Sequence, residues 1–235
     1  YSRSKSKGSV SITFDDGYQA TFDYVYPLLL EMNIPATIFI STGHWSELEW
    51  LWYNLLNSIC FESGESRIEF YGQTYSLETY HNRTRTRDQF LKLIEENGNP
   101  DYLYRGLSRK IGPSGELPYH YAGITVEQTK KLGNSGLFEI GGHTRSHPFL
   151  SKLDKVSQRH EIYENKLDLE RITGKEIRYF AYPSGDYGLS TLEVVKACKY
   201  QAGFATISRN IGSDPLLEIE RVGIYSNSML KFVLK

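Results

Sequence analysis

Apolar residues change their spacing several times along this chain, and each change marks an element. Val10 to Phe14 is a short apolar run closed by Asp15, Asp16 and Gly17, and it reads as a strand ending in a turn. From Tyr18 to Asn33 the apolar positions Phe22, Val25, Tyr26, Leu29 and Leu30 recur at helical spacing, with Pro27 kinking or restarting the helix. Pro35 to Ser41 is strand-like again and is stopped by Thr42 and Gly43. Strand, helix and strand within about 30 residues predict a parallel βαβ unit.

The rhythm breaks between about His44 and Tyr121. This stretch predicts an aromatic helix (Trp45, Trp50, Trp52, Tyr53, Leu55, Leu56), a hairpin of Arg67–Tyr71 with Gln73–Leu77, and a polar helix near Arg87–Glu96. A Gly/Pro-rich loop from Gly112 to Pro118 ends it. An excursion of this size between two α/β elements reads as a lid or a substrate-side insertion. The alternation then resumes. Thr125 and Gln128 form a capping-box signature, with Gly133 or Gly136 ending the helix, and Leu137–Ile140 is a strand that runs into Gly141, Gly142 and His143. A helix over Asp154–Ile172 with Gly174 as its stop carries Val156, Ile162, Tyr163, Leu167, Leu169 and Ile172 as its apolar side. Arg178–Tyr182, a helix near Ser190–Tyr200, and strands at Phe204–Ile207 and Ile219–Ile224 complete the order. The expected fold class is α/β, an open or incomplete (β/α) barrel, with a polar leader over residues 1–9 and one domain over 10–235.

Composition changes this picture little. A net charge of -1 with both signs interspersed gives no reason to expect nucleic acid or an anionic membrane as partner. No stretch approaches the ~20 apolar residues of a transmembrane segment. With only Cys60 and Cys198 present, two buried thiols are expected rather than a disulfide framework. The 18 tyrosines suit rings stacked on sugars and equally suit an ordinary core.

Candidate chemistry sits at the strand ends. Two adjacent ionised acids, Asp15 and Asp16, repel each other unless a cation lies beside them. His143 and His147, four apart, are expected to project from one side of a single helical turn, and they follow a predicted strand as the acids do. Such strand ends share one face of a βα barrel. A carboxylate with two histidines suits zinc or another borderline divalent metal, leaving the second aspartate free as a general base. Solvated turn acids and a backbone-satisfied histidine pair are the alternative.

These residues resemble the polysaccharide deacetylases of carbohydrate esterase family four, the NodB-homology domain. The first motif of that family, T-F-D-D-G, is similar to Thr13–Gly17, and the second, H-[ST]-x-x-H, to His143–His147; Pro148 to Ser151 also looks like family members. The resemblance implies a distorted, incomplete (β/α) barrel of the NodB-homology type with a large insertion after strand 2. It implies Asp15 as base, Asp16, His143 and His147 as ligands of a divalent metal, Zn2+ before Co2+, Ni2+ or Mn2+, and an amine and acetate as products. In the third motif, similar to Phe180–Gly185, it assigns an oxyanion-binding N–H to Ser184, with Tyr182 beside it on the substrate side. Many members carry an arginine where this chain has Ala181, and the form Phe-Ala-Tyr-Pro-x-Gly resembles the branch that includes poly-N-acetylglucosamine deacetylases. Arg221 is the first candidate to tether Asp15 instead, with Arg145 and Arg178 behind it. The family's fourth-motif tryptophan and fifth-motif Leu-x-His have no counterpart, since no histidine follows His160. The general acid is then His44 or His120, or Asp15 returning its proton, with His81 and His160 read as solvated.

The aromatic residues Trp45, Trp50, Trp52 and Tyr53 are either a sugar-stacking wall or the insertion's own core. Arg83 to Arg87 reads as a solvated face or a contact to an anionic glycan, and Asn82-Arg83-Thr84 matches a glycosylation acceptor. The implied partner is an N-acetylated glycan or glycolipid precursor, met outside the cytoplasm or at the cell envelope. The rivals are a hydrolase of a non-sugar amide or formamide, and an inactive carbohydrate-binding relative.

Overall fold

The computed structural model describes residues 10–45, 51–98, 100, 106–107 and 118–224. The expected leader over residues 1–9, Trp50 and the loop residues 112–117 lie outside them. Among the described residues eight strands form two sheets. The larger has six parallel strands in the order β1 (Ile12–Phe14), β2 (Ala36–Ile40), β5 (Phe138–Gly142), β6 (Tyr179–Ala181), β7 (Ala202–Ala205) and β8 (Ile219–Glu220). Parallel neighbours need crossovers; helices α1 (Tyr26–Glu31), α4 (Val126–Asn134), α5 (Lys155–Thr173) and α6 (Leu189–Ala197) supply the first four, and a 3-10 turn, Pro215–Leu217, lies between β7 and β8. The edge strands β1 and β8 do not pair, so the barrel is incomplete.

Local chemistry sets most boundaries. Pro27 lacks the N–H that a continuous helix would need, and the chain enters α1 through a π-helical turn, Thr21–Val25, with Pro27 in the first turn of the new helix. Thr125 caps α4 with a complete capping box to Gln128. Helix α4 runs through the buried Gly133 to Asn134, so that glycine is not its stop, and Gly136 beyond it takes φ 74°. Asp154 caps α5 at its start and Gly174 ends it in the left-handed conformation. On α5, Ile162 and Leu169 are fully buried, whereas Val156 is 81% exposed and so does not belong to the apolar side expected for it.

One core lies between the large sheet and its helices, with Ile38, Ile40, Ile140, Phe180 and Leu192 among its members. A second belongs to the inserted segment. There α2 (Trp52–Phe61), the antiparallel hairpin β3 (Arg67–Phe70) with β4 (Gln73–Ser76), and α3 (Tyr80–Asn97) close over Leu55, Leu56, Phe70, Phe90 and Ile94. Trp52 packs in this core, so its ring is not a free sugar platform. Arg83 is not simply a solvated charge, since its guanidinium donates to Cys60 O at 2.6 Å and Glu65 O at 3.0 Å. Cys60 and Cys198 are free and buried. Among the described residues no helix is long and apolar enough to cross a membrane.

Two glycines end β5 because there is no room for a Cβ. At Gly141 it would clash with the Phe39 ring, and at Gly142 with the Tyr200 hydroxyl and Asn165 Oδ1. Gly142→Ala is expected to destabilise the protein by about 1–3 kcal/mol through overpacking. Urea unfolding checks this, and a variant as stable as wild type would show that the strand end has slack.

Candidate metal centre

At the end of β1, Asp16 and Gly17 both take positive φ (72° and 78°), which turns the chain sharply and separates the two acids. Asp16 meets the histidines: its Oδ1 lies 3.4 Å from His143 Nε2 and 3.4 Å from His147 Nε2. The three donor atoms lie within 4.8 Å of one another. Tetrahedral ligands about 2.0–2.1 Å from a zinc ion stand about 3.3–3.4 Å apart, so the spacing fits a cation. Asp16 Oδ1 is also a buried acceptor with no hydrogen bond, as expected for an oxygen meant for a metal. His143 Nδ1–H donates to Ala181 O at 2.8 Å, and that bond leaves the Nε2 lone pair facing Asp16.

The histidines do not share a helical turn. Thr144 and His147 take φ of 65° and 58°, and the segment is a bend in which His147 N donates to Thr144 Oγ1 at 3.1 Å. Pro148 disfavours right-handed helix at the residue before it. Two residues one turn apart on α5 hold this bend. Glu161 accepts from Arg145 N and Ser146 N at 2.9 Å each and from Ser146 Oγ at 2.8 Å. Asn165 accepts from His143 N at 3.0 Å and donates to Ile40 O and Thr42 Oγ1. From the insertion, Trp52 Nε1 donates to His147 O at 2.8 Å. None of Glu161, Asn165 and Trp52 was expected here from the sequence; the i, i+4 polar pair on one face of α5 was the available signal.

Asp15 goes the other way. Arg221, just beyond β8, donates to its two carboxylate oxygens at 2.7 Å each and to Thr13 Oγ1 at 3.0 Å. The bond joins residues at the two edges of the open sheet. Arg145 instead reaches His160, and Arg178 pairs with Glu139. Ala181 is fully buried and contributes its carbonyl rather than a side chain. Ser184 is exposed, with φ 54°, in the turn Pro183–Gly185 that follows β6.

Tyr182 departs from expectation. It is 1% exposed, its N–H donates to Phe204 O, its hydroxyl donates to Leu217 O at 2.8 Å, and its ring stacks on Tyr187. It is a core residue with no group left for substrate. His120 engages Glu62 at 2.9 Å, and His81 and His160 are exposed. His44 lies in the 3-10 turn Gly43–Trp45 directly after β2, and its side chain is outside what is described.

Burial and charge act in opposite directions across the triad. Burial raises the Asp16 pKa, but the 3.4 Å approach of His143 and the charges of both histidines outweigh it and bring the value down to about 2. Burial brings His147 down to about 4 against the pull of Asp16. For His143 burial is outweighed by Asp16 and Asp15, and its pKa is raised.

Comparison with known proteins bears on the family and the fold. A family model described as polysaccharide deacetylase matches residues 2–100 and 114–203. No curated protein matches the chain. Among solved structures, a Streptococcus pyogenes deacetylase, PplD, determined with acetate, is 20% identical, with TM-score 0.59 over 98% of this chain and 70% of its own. The BpsB deacetylase domain of Bordetella bronchiseptica is 19% identical, with TM-score 0.52 over 89% and 68%. A polysaccharide deacetylase of Bacillus cereus, BC0361, is 17% identical, with TM-score 0.54 over 95% and 49%. At these identities the likeness is one of fold, and it matches the incomplete NodB-type barrel.

The pKa pattern makes a countable prediction. With the His143 pKa raised and those of His147 and Asp16 lowered, the metal-free triad is expected to hold one proton near pH 6, on His143. Zinc binding should then release about one proton. Calorimetry in buffers of different ionisation enthalpy counts it, and a release near two, or none, would contradict this assignment.

Proposed function

The chain belongs to the polysaccharide deacetylase family, and from that premise we propose that it is a metal-dependent hydrolase removing the N-acetyl group from an amino sugar in a glycan or glycolipid precursor. The observation that carries the reading is the division of labour between the two acids: Asp16 with His143 and His147 as a ligand set, and Asp15 held separately by Arg221. The donor set of two imidazoles and one carboxylate suits zinc. A divalent cation held there supplies the Lewis acidity that makes an amide carbonyl electrophilic and a water acidic.

The chain's own groups do the rest. Arg221 fixes the Asp15 carboxylate by two parallel hydrogen bonds, a geometry that restricts its rotation and aims one oxygen at the reacting water. Asp15 accepts the proton of that water as its oxygen bonds to the acetyl carbon. The Ser184 N–H donates to the oxygen on which negative charge develops. The C–N bond then breaks, Asp15 returns its proton to the nitrogen, and an amine and acetate leave. An arginine tether supplied by residue 221 makes up for the alanine at 181, which counts against an inactive relative.

Metal-loaded protein should release acetate from N-acetylglucosamine oligomers. Asp15→Asn should lower kcat by about 10²–10⁴-fold with zinc content unchanged, and Arg221→Ala by about 10²-fold through misplacement of Asp15. Acetate assays with metal analysis check both. Glycan binding without turnover under any divalent metal would favour a binding role, and acetate release confined to non-sugar amides would overturn the substrate assignment.

A further inference from the structure

The inserted segment brings a second polar group to the triad beside Trp52. Tyr53 lies on α2, and its ring packs against His147 with centroids 4.9 Å apart and planes 65° apart. Part of the residue remains exposed, yet its hydroxyl oxygen is sealed from solvent and makes no hydrogen bond of normal geometry. Burying a hydroxyl without a partner is costly, so such an atom calls for one. The nearby Asp16 carboxylate can accept it: its Oδ1 faces the two histidines at 3.4 Å, and a carboxylate keeps further acceptor sites beyond the one a cation takes. The two groups lie within interaction range of each other. A phenol at neutral pH is a donor. The neighbouring Tyr18 hydroxyl donates to Asn54 Oδ1 at 3.1 Å.

We infer that Tyr53 is a positioning residue of the metal centre: its hydroxyl donates to the Asp16 carboxylate and holds that ligand for the cation, so the insertion helps set metal affinity. The inference rests on the metal-centre reading above. It assigns the insertion a part in the site besides covering it, because Trp52 and Tyr53 together address His147 and Asp16 from one turn of α2.

Zinc affinity of wild type, Tyr53→Phe and Tyr53→Leu, measured by competition with a chromogenic chelator, tests it. Phenylalanine keeps the ring against His147 and removes only the hydroxyl. The Phe variant should bind zinc about tenfold more weakly, with unfolding of the metal-free protein unchanged. Equal zinc affinity in wild type and the Phe variant would overturn the assignment, as would a loss confined to the Leu variant, which would make the role one of ring packing. A loss that tracks lower metal-free stability would overturn it too. Because zinc is titrated without substrate, a wild type that binds zinc but releases no acetate would count against the deacetylase reading alone.

Discussion

A half-buried carboxylate and two buried imidazoles meet at the ends of β1 and β5, and the surrounding structure answers to that. Asp16, His143 and His147 face one another across 3.4 Å gaps that suit a cation. Removing such groups from water is costly unless they are paired and oriented. The orientation comes from all sides: Ala181 O fixes the His143 ring, Glu161 and Asn165 hold the bend that carries both histidines, and Trp52 secures the His147 carbonyl. Three separate parts of the chain, β6, α5 and α2, thus converge on the triad. The glycines closing β5 belong to the same design, because bulk at Gly142 would push against Asn165.

The second constraint joins the edges of the sheet. Strands β1 and β8 are too far apart in sheet order to pair, and Arg221 spans them with bonds to Asp15 and Thr13. A side chain therefore bridges where backbone ladders stop. The bridge fixes Asp15 and leaves Asp16 to the histidines, so two neighbouring acids of identical chemistry acquire different roles. The turn that separates them costs two successive left-handed residues, of which the second is glycine.

Local signals in the sequence carried well. The Asp15–Asp16–Gly17 stop, the Thr125 and Asp154 caps, the Gly174 terminus and the strand before His143 are short-range chemistry, and each element lies where its pattern placed it within a few residues. The pairing of Arg221 with Asp15 was legible only as one choice among three arginines, because nothing local joins residues 206 positions apart. The backbone of the histidine bend was misread as helix, since i, i+4 spacing is shared by helices and by loops that fold back. Tyr182 was read toward the substrate with its motif; its neighbour Ala181 touches His143, whereas its own side chain is buried in the core. Tyr53 could be seen as aromatic and part of the insertion, but its approach to His147 depends on how a separately packed unit docks, which no periodicity encodes.

Zinc-edge X-ray absorption on the zinc-loaded protein tests the centre most directly. One zinc per chain is expected, with scattering from two imidazoles and a first shell of nitrogen and oxygen at about 2.0–2.1 Å, and with the imidazole signature halved in His143→Ala or His147→Ala. A sulfur shell, or a spectrum indifferent to both substitutions, would contradict it.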